Sequence, residues 1–584
     1  MNYLIPRPEH PNPQWERLNW KNLNGTWQFE IDNGVSGEHR GLHKADRLSS
    51  EITVPFCPES ELSGVGNKDF MLCVWYKKAV SFTEKQLAGN RVILHFGAAD
   101  FETKVWVNGE QAGLPHVGGY SSFEYDITAL LHAGENLITV RCYDDTRSPR
   151  QAAGKQSPRF ESHGCCYTRT TGIWQTVWYE IVPKHYIRYA RIIPDLENLS
   201  VSIHAELCGR SDLSAEVYYN GKEVGSASKR NLSVTGQLEI QLSEKHVWEL
   251  GCGRLYDLIL RFGQDEVKSY FGLRSVAMDG QKFLLNGKSV FQRLVLDQGF
   301  YHDGICTAPS EAMLIKDIQC GLDAGFNGAR MHQKVFEPRY LYHADKMGYL
   351  VWGEYGNVGL DYSDIANLST FLPDWMTSMK RDFNHPSLIG WCPFNETWDY
   401  GDQKKRQDNE LLRIVYEQTK LYDPTRPCID TSGNYHVVTD IFDIHDYEQD
   451  PAIFQDRFDE AFKSHTIAER RCGDRQMWDG EQPLFISEYG GIGFQLVNND
   501  FETGRRRTDW SYGKSTASYE EFYERYRRLT HALLDNPLIM GFCYTQLTDV
   551  EQEKNGLFLY EDRSPKFDMT VISAINKKKA AIED

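Results

Sequence analysis

Ser387-Leu388-Ile389-Gly390-Trp391-Cys392-Pro393-Phe394-Asn395-Glu396-Thr397-Trp398 and Leu484-Phe485-Ile486-Ser487-Glu488-Tyr489-Gly490-Gly491 decide the reading of this chain. Each is an apolar run of strand length that ends in a carboxylate, Glu396 in one and Glu488 in the other. In a barrel of parallel strands, side chains at the C-terminal strand ends converge on one site. Two carboxyl groups delivered from different strands are what cleavage of a glycosidic bond requires, one giving a proton and one attacking. A single strand-end glutamate is more often half of a salt bridge on the rim; the pair is not readily explained that way.

Outward from these stretches, strand-like and helical periods alternate. Residues 291–296 read as a strand ending at Asp297, and residues 310–324 as a helix with Met313, Leu314, Ile318 and Leu322 on one face. Gly325 stops it, and Asn327 to Met331 is the next strand. The rhythm continues through 349–352, 428–430, 441–444, 485–488 and 541–544. Strands and helices in this order over residues 276–584 predict a (β/α)8 TIM barrel. Upstream the pattern is all β. Residues 1–183 carry short alternating runs and an Asn108-Gly109 tight-turn signal, which predicts a jelly-roll β-sandwich. Residues 184–275, with a hairpin turning at Asn220-Gly221, predict an immunoglobulin-like β-sandwich. The expected fold class is multidomain, β plus α/β.

Bulk composition excludes several classes of function. The 584 residues are 41% hydrophobic and 25% charged, as in soluble globular proteins. A net charge of −18 makes a poor nucleic-acid binder. No basic segment followed by an apolar core opens the chain, so no signal peptide is expected, and no apolar run approaches the ~20 residues of a membrane span. The 13 cysteines are scattered without metal-ligand spacing. Reduced thiols in a cytoplasmic protein, with no metal and no cofactor, are the expectation.

The motifs together resemble glycoside hydrolase family 2, the β-galactosidase and β-glucuronidase family. Val105-Trp106-Val107-Asn108-Gly109, His116 to Phe123 and Asp126-Ile127-Thr128 are similar to its sugar-binding module, and Thr171 to Trp178 to the exit from that module. Asn384-His385-Pro386-Ser387 leading to Asn395-Glu396 resembles the acid/base signature, and Ser487-Glu488-Tyr489-Gly490 the nucleophile signature. The resemblance implies a retaining exo-glycosidase with a carbohydrate substrate. Glu396 would be the acid/base, needing a raised pKa, and Glu488 the ionised nucleophile. Asn395 would bond the sugar 2-hydroxyl, and Tyr447 would hold the nucleophile. Glu354 would stand near the acid/base, or else form an ion pair with Arg330. Asp297 and His332 are candidate partners of sugar hydroxyls. Arg330 and Lys334 are candidate cations of the pocket, and Trp398 could stack on the sugar. Family members are often dimers or tetramers, which leaves a homo-oligomer open.

The chain departs from the family pattern at one place. Uronate-cleaving members carry an Asn-x-Lys pair before a Gly-hydrophobic-Phe stretch; here Glu553 and Asn555 stand at those positions. A second acid would repel a uronate, so a neutral β-galactoside is the first expectation. A β-glucuronide or β-galacturonide is the alternative, with Lys334 or Arg505-Arg506-Arg507 replacing the clamp. A β-galactofuranoside or α-L-arabinofuranoside is a further one. A silent carbohydrate-binding protein is the non-enzymatic rival, disfavoured because both glutamates are present.

Overall fold

Alternation along the N-terminal strands produces two facing sheets. Trp27 and Phe29 point inward from Gly25–Ile31 while Thr26 and Gln28 point outward. In a computed structural model that describes residues 5–397, 406–469, 476–495 and 509–583, these strands form a β-sandwich. One sheet orders Trp20–Asn22, Val177–Pro183, Asn90–Phe96 and Phe123–Asp126. The other runs Ser50–Val54, Gly25–Ile31, Cys73–Phe82, Gly134–Tyr143, Glu102–Val107 and Glu110–Gln111. Asn108 and Gly109 adopt φ 52° and 82° and turn Val107 back onto Glu110, the geometry that an Asn-Gly hairpin favours.

The second β region differs from its expectation in strand length. Ser200–Tyr219 and Lys222–Gln241 are 20 residues each, joined at Asn220-Gly221. Register shifts along their pairing let these strands bend. One five-stranded sheet thus folds over a core of Ile203, Val217, Leu258 and Phe271. It is riveted to the barrel by polar groups: the Asn384 side chain accepts from Ile192 N–H and donates to Ala190 O. Arg274 donates to Pro386 O and Leu388 O.

The barrel strands are β1 (Gln292–Asp297), β2 (Gly328–Met331), β3 (Leu350–Glu354), β4 (Leu388–Cys392), β5 (Thr431–Ser432), β6 (Phe442–Asp446), β7 (Leu484–Gly490) and β8 (Ile539–Thr545). Seven of them pair in parallel in the order β4-β3-β2-β1-β8-β7-β6, β8 closing on β1, while β5 pairs separately with the segment after β4. Each reads as a continuous buried run because helices cover the outside, among them Glu311–Asp323 and Tyr519–Leu534. The expected strand at 428–430 lies slightly later. Pro393 interrupts β4, and Phe394–Asn395 then pairs with β5. No helix among the described residues is long and apolar enough to cross a membrane.

Arg17 joins the N-terminal segment to both sandwiches, bonding Glu180 at 2.9 Å and Asp265 at 2.9 and 3.0 Å. Beside it, His95 lies between Glu124 and Glu180. Burial presses the His95 pKa down, but its bonds to Glu124 and Glu180 outweigh burial and raise it to about 9. The free histidine value is ~6.5. The resulting stabilisation is complete below that pH and is lost as pH rises through about 9. Denaturation across pH 6 to 10 should show this fall, and His95→Gln should flatten it. A wild-type slope that survives in His95→Gln would assign it to another group.

Candidate active site

Glu396, Glu488 and His445 meet at the C-terminal mouth of the barrel. Pro393 ends β4, and the next turn puts Glu396 at φ 50° with its N–H bonded to Ser432 O. Glu488 projects from β7. One ligand atom from each of the three lies within 4.8 Å of the other two. His445 Nδ1 is 2.7 Å from Glu396 Oε1 and 3.3 Å from Glu488 Oε2. His445 Nε2 is 3.0 Å from Ser432 Oγ, whose own proton goes to Asp443. That arrangement puts a proton on Nε2 and leaves Nδ1 to share one with the carboxyl pair. Gly433, at φ 62°, leaves room for this ring: a Cβ there would stand 2.3 Å from it.

Arg330, from β2, lies behind the pair. Its guanidinium bonds Ser487 O (2.6 Å), Glu488 Oε1 (3.2 Å), Glu354 Oε2 (2.8 Å) and Asn395 Oδ1 (3.0 Å). Holding the Asn395 carbonyl end turns its NH2 toward the cavity. His332 Nδ1 is 3.0 Å from Glu354 Oε1 and 3.8 Å from Glu488 Oε1. Tyr447 donates to Glu488 Oε2 at 2.5 Å, stacks on Tyr512, and reaches Thr545 on β8.

The electrostatics separate the acidic groups. Burial pushes the Glu488 pKa up, and Glu396 adds to it, but His445, His332 and Arg330 outweigh both and hold it below the usual value. Burial likewise opposes ionisation of Glu354, yet Arg330 and His332 bring it to about 2. Glu488 is therefore a carboxylate over the whole neutral range, as attack on an anomeric carbon requires. Glu396, His445 and Glu488 are also the set among the described residues that could hold a cation. Arg330 already sets a fixed positive charge against it.

Asn395, Tyr447, Arg330, His332 and Glu354 therefore join the pair, while Asp297 and Lys334 are placed elsewhere. Asp297 accepts from Gly299 N–H and Tyr340 OH, and Lys334 donates to Gly299 O and Cys306 O. Both strand-end side chains turn away because the loop after β1 needs its polar groups met. Trp398 and Arg505 to Arg507 lie outside the described residues. His445 was missed by the sequence reading, although it shares strand parity with Asp443 and Tyr447, which places all three on one face. Cys165 and Cys166, from the first sandwich, also border the site. A hydrogen bond from Cys166, and then Lys155, lower the Cys165 pKa.

Residues 65–150 match the sugar binding domain of glycosyl hydrolases family 2, and residues 276–499 match that family's TIM barrel domain. A Formosa agariphila relative bearing a β-glucuronidase name is 26% identical over 453 residues, 71% of this chain and 50% of that protein. The chain thus spans half the length of that relative. The Paenibacillus borealis β-glucuronidase is 23% identical, covering 70% of this chain and 72% of its own. The structure of an uncultured Clostridium sp. β-glucuronidase superposes with a TM-score of 0.79 at 18% identity, covering 96% of this chain and 99% of that one.

Removing the Tyr447 hydroxyl removes a donor to ionised Glu488, so the carboxyl pKa should rise. Tyr447→Phe should move the acidic limb of the kcat/KM profile to higher pH and lower kcat. An unshifted limb would show that Tyr447 does not support the charged form.

Proposed function

The chain belongs to glycoside hydrolase family 2, and from that premise we propose that it is an exo-acting, retaining glycosidase that releases a terminal β-linked hexuronic acid. The carrying observation is the carboxyl pair: atoms of Glu396 and Glu488 lie within 4.8 Å. Retention needs carboxyl groups ~5–5.5 Å apart, whereas inversion needs ~6.5–9.5 Å to admit a water. Glu488 attacks the anomeric carbon and expels the leaving oxygen, which takes the proton of Glu396. Glu396, now a carboxylate beside His445, deprotonates the water that releases the sugar from Glu488. Asn395, held by Arg330, donates to the 2-hydroxyl.

Exo action is supported by the wall around the mouth. Asp361 N–H bonds Pro149 O, and Thr370 bonds Arg150 O, so a barrel loop and a sandwich loop lean together on one side. The uronide takes precedence over the neutral β-galactoside because the relatives carry β-glucuronidase names. The repulsion expected from Glu553 is also weaker than its formal charge implies, since burial pushes its pKa up to about 7. The neutral β-galactoside remains the second reading, favoured by Glu553 and Asn555 in place of Asn and Lys.

Glu488→Gln should abolish turnover without unfolding the chain. Glu396→Gln should cost natural glycosides about 10²–10⁴-fold, and activated aryl glycosides much less. Small-anion rescue of Glu396→Ala should give a β-configured adduct from a β-glycoside. A wild-type first product of inverted configuration sinks the two-step mechanism. For the sugar, kcat/KM should be higher for aryl β-glucuronide or β-galacturonide than for aryl β-galactoside; the reverse order returns the reading to a neutral sugar.

A further inference from the structure

The mouth of the barrel is not built by the barrel alone. Residues 144–171 leave the first sandwich after Gly134–Tyr143 and return at Gly172–Ile173. Midway, the N–H groups of Ala153 and Gly154 donate to Val358 O at 2.8 and 3.0 Å. Gly154, at φ 62°, lies so close to the barrel that a Cβ there would stand 2.6 Å from Gln333 O and 2.3 Å from Tyr120 OH. Gln333 follows His332 directly, so this contact sits beside the catalytic cluster. The next residue is Lys155.

The Lys155 backbone is pinned, its carbonyl accepting from Tyr167 N–H at 2.6 Å. Tyr167 OH in turn donates to Glu553 Oε2 at 2.6 Å. The Lys155 ammonium lies within the field of Cys165, Glu553 and Glu396; burial opposes its charge, but these three raise its pKa overall. Among the described residues, no hydrogen bond or ion pair engages that ammonium directly. Among the described residues, three other cations of this region are engaged. Arg330 holds Glu354 and Glu488, Lys334 holds two carbonyls, and Arg169 holds the carbonyls of Ser157, Arg159, Phe160 and Lys68. The Lys155 ammonium is thus kept charged by its surroundings while its donors are left for a ligand.

We propose that Lys155, delivered by the first sandwich, binds the carboxylate of the terminal sugar, replacing from another domain the clamp that Glu553 and Asn555 do not provide. This rests on the uronide reading above. Glu553 fits the role of a companion. Tyr167 and Asn555 donate to its two oxygens, and in its neutral form it can also give a proton bond to the incoming carboxylate. The substrate charge would then be met by one cation and one acid that changes protonation state on binding.

The experiment compares wild type, Lys155→Met and Lys155→Arg, each first checked for unchanged melting temperature. Turnover of aryl β-glucuronide, aryl β-galacturonide and aryl β-galactoside is measured, with inhibition by the free hexuronic acids and their neutral hexoses. Lys155→Met should lower kcat/KM for the preferred uronide by about 10²-fold or more, mostly through KM, as loss of a partner to a desolvated charge does. The galactoside should change less than about threefold, and Lys155→Arg should restore part of the loss. A parallel fall of charged and neutral substrates would overturn the inference, because Lys155 would then be supporting the loop or Glu396. No change for the uronide would overturn it too. If wild type cleaves no uronide, the substrate reading fails by itself and the inhibitors decide on Lys155. A hexuronate preference erased in Lys155→Met upholds the carboxylate site; a preference that is absent from wild type, or unaltered by the substitution, removes it.

Discussion

Arg330 is the group on which the site depends. A guanidinium is rigid, planar and permanently charged, with five donors in fixed directions. Here those donors meet Ser487 O, Glu488, Glu354 and Asn395, which come from β7, β3 and the turn after β4. One side chain therefore fixes the Glu488 carboxylate, the Asn395 amide and the Glu354 carboxylate relative to one another. Removing one partner of such a buried pair costs about 3–5 kcal/mol, because the other is left charged in a dry environment. Glu354 is the counterweight. It shares the Arg330 charge with Glu488, taking the shorter contact, 2.8 Å against 3.2 Å. Of the two expectations for Glu354, the ion pair with Arg330 is formed, at 2.8 Å.

His445 works in the opposite direction. It approaches both Glu396 and Glu488 from β6, so one imidazole stands between the two carboxyl groups. Arg330 keeps one acid ionised from below while His445 can share the proton of the other. Two chemically identical side chains thus have different surroundings.

The barrel was legible because its signals are local. Apolar runs ending in Glu354, Glu396 and Glu488 show strand ends directly, and Asn-Gly pairs mark hairpin turns wherever the chain needs two positive φ values. The 20-residue strands of the second sandwich were less legible, since their bends come from register shifts that no period reveals. Strand-end position alone also misplaced Asp297 and Lys334: it gives the end of the barrel but not the direction of the side chain. Lys155 was out of reach for another reason. It belongs to a loop of a different domain, and only docking of Gly154 on Gln333 brings it to the mouth. His445 was the nearest miss, two residues from Tyr447 on an already recognised strand.

The joint at Asn384 has a meaning beyond cohesion. The residues that lead into β4 and Glu396 are engaged at the far end of the strand from Glu396. Asn384 bonds the second sandwich, and His385, Ser387 and Tyr270 converge on Asp345. β4 thus starts from an anchor shared by two domains, and Glu396 stands at its far end. A barrel excised at its boundary would lose the neighbour that fixes the root of its acid-bearing strand. In biosynthesis, the two sandwiches emerge from the ribosome before the barrel and present that anchor to it. The geometry at Glu396 is then a property of the docked domains, complete only once the barrel has settled on the sandwiches made before it.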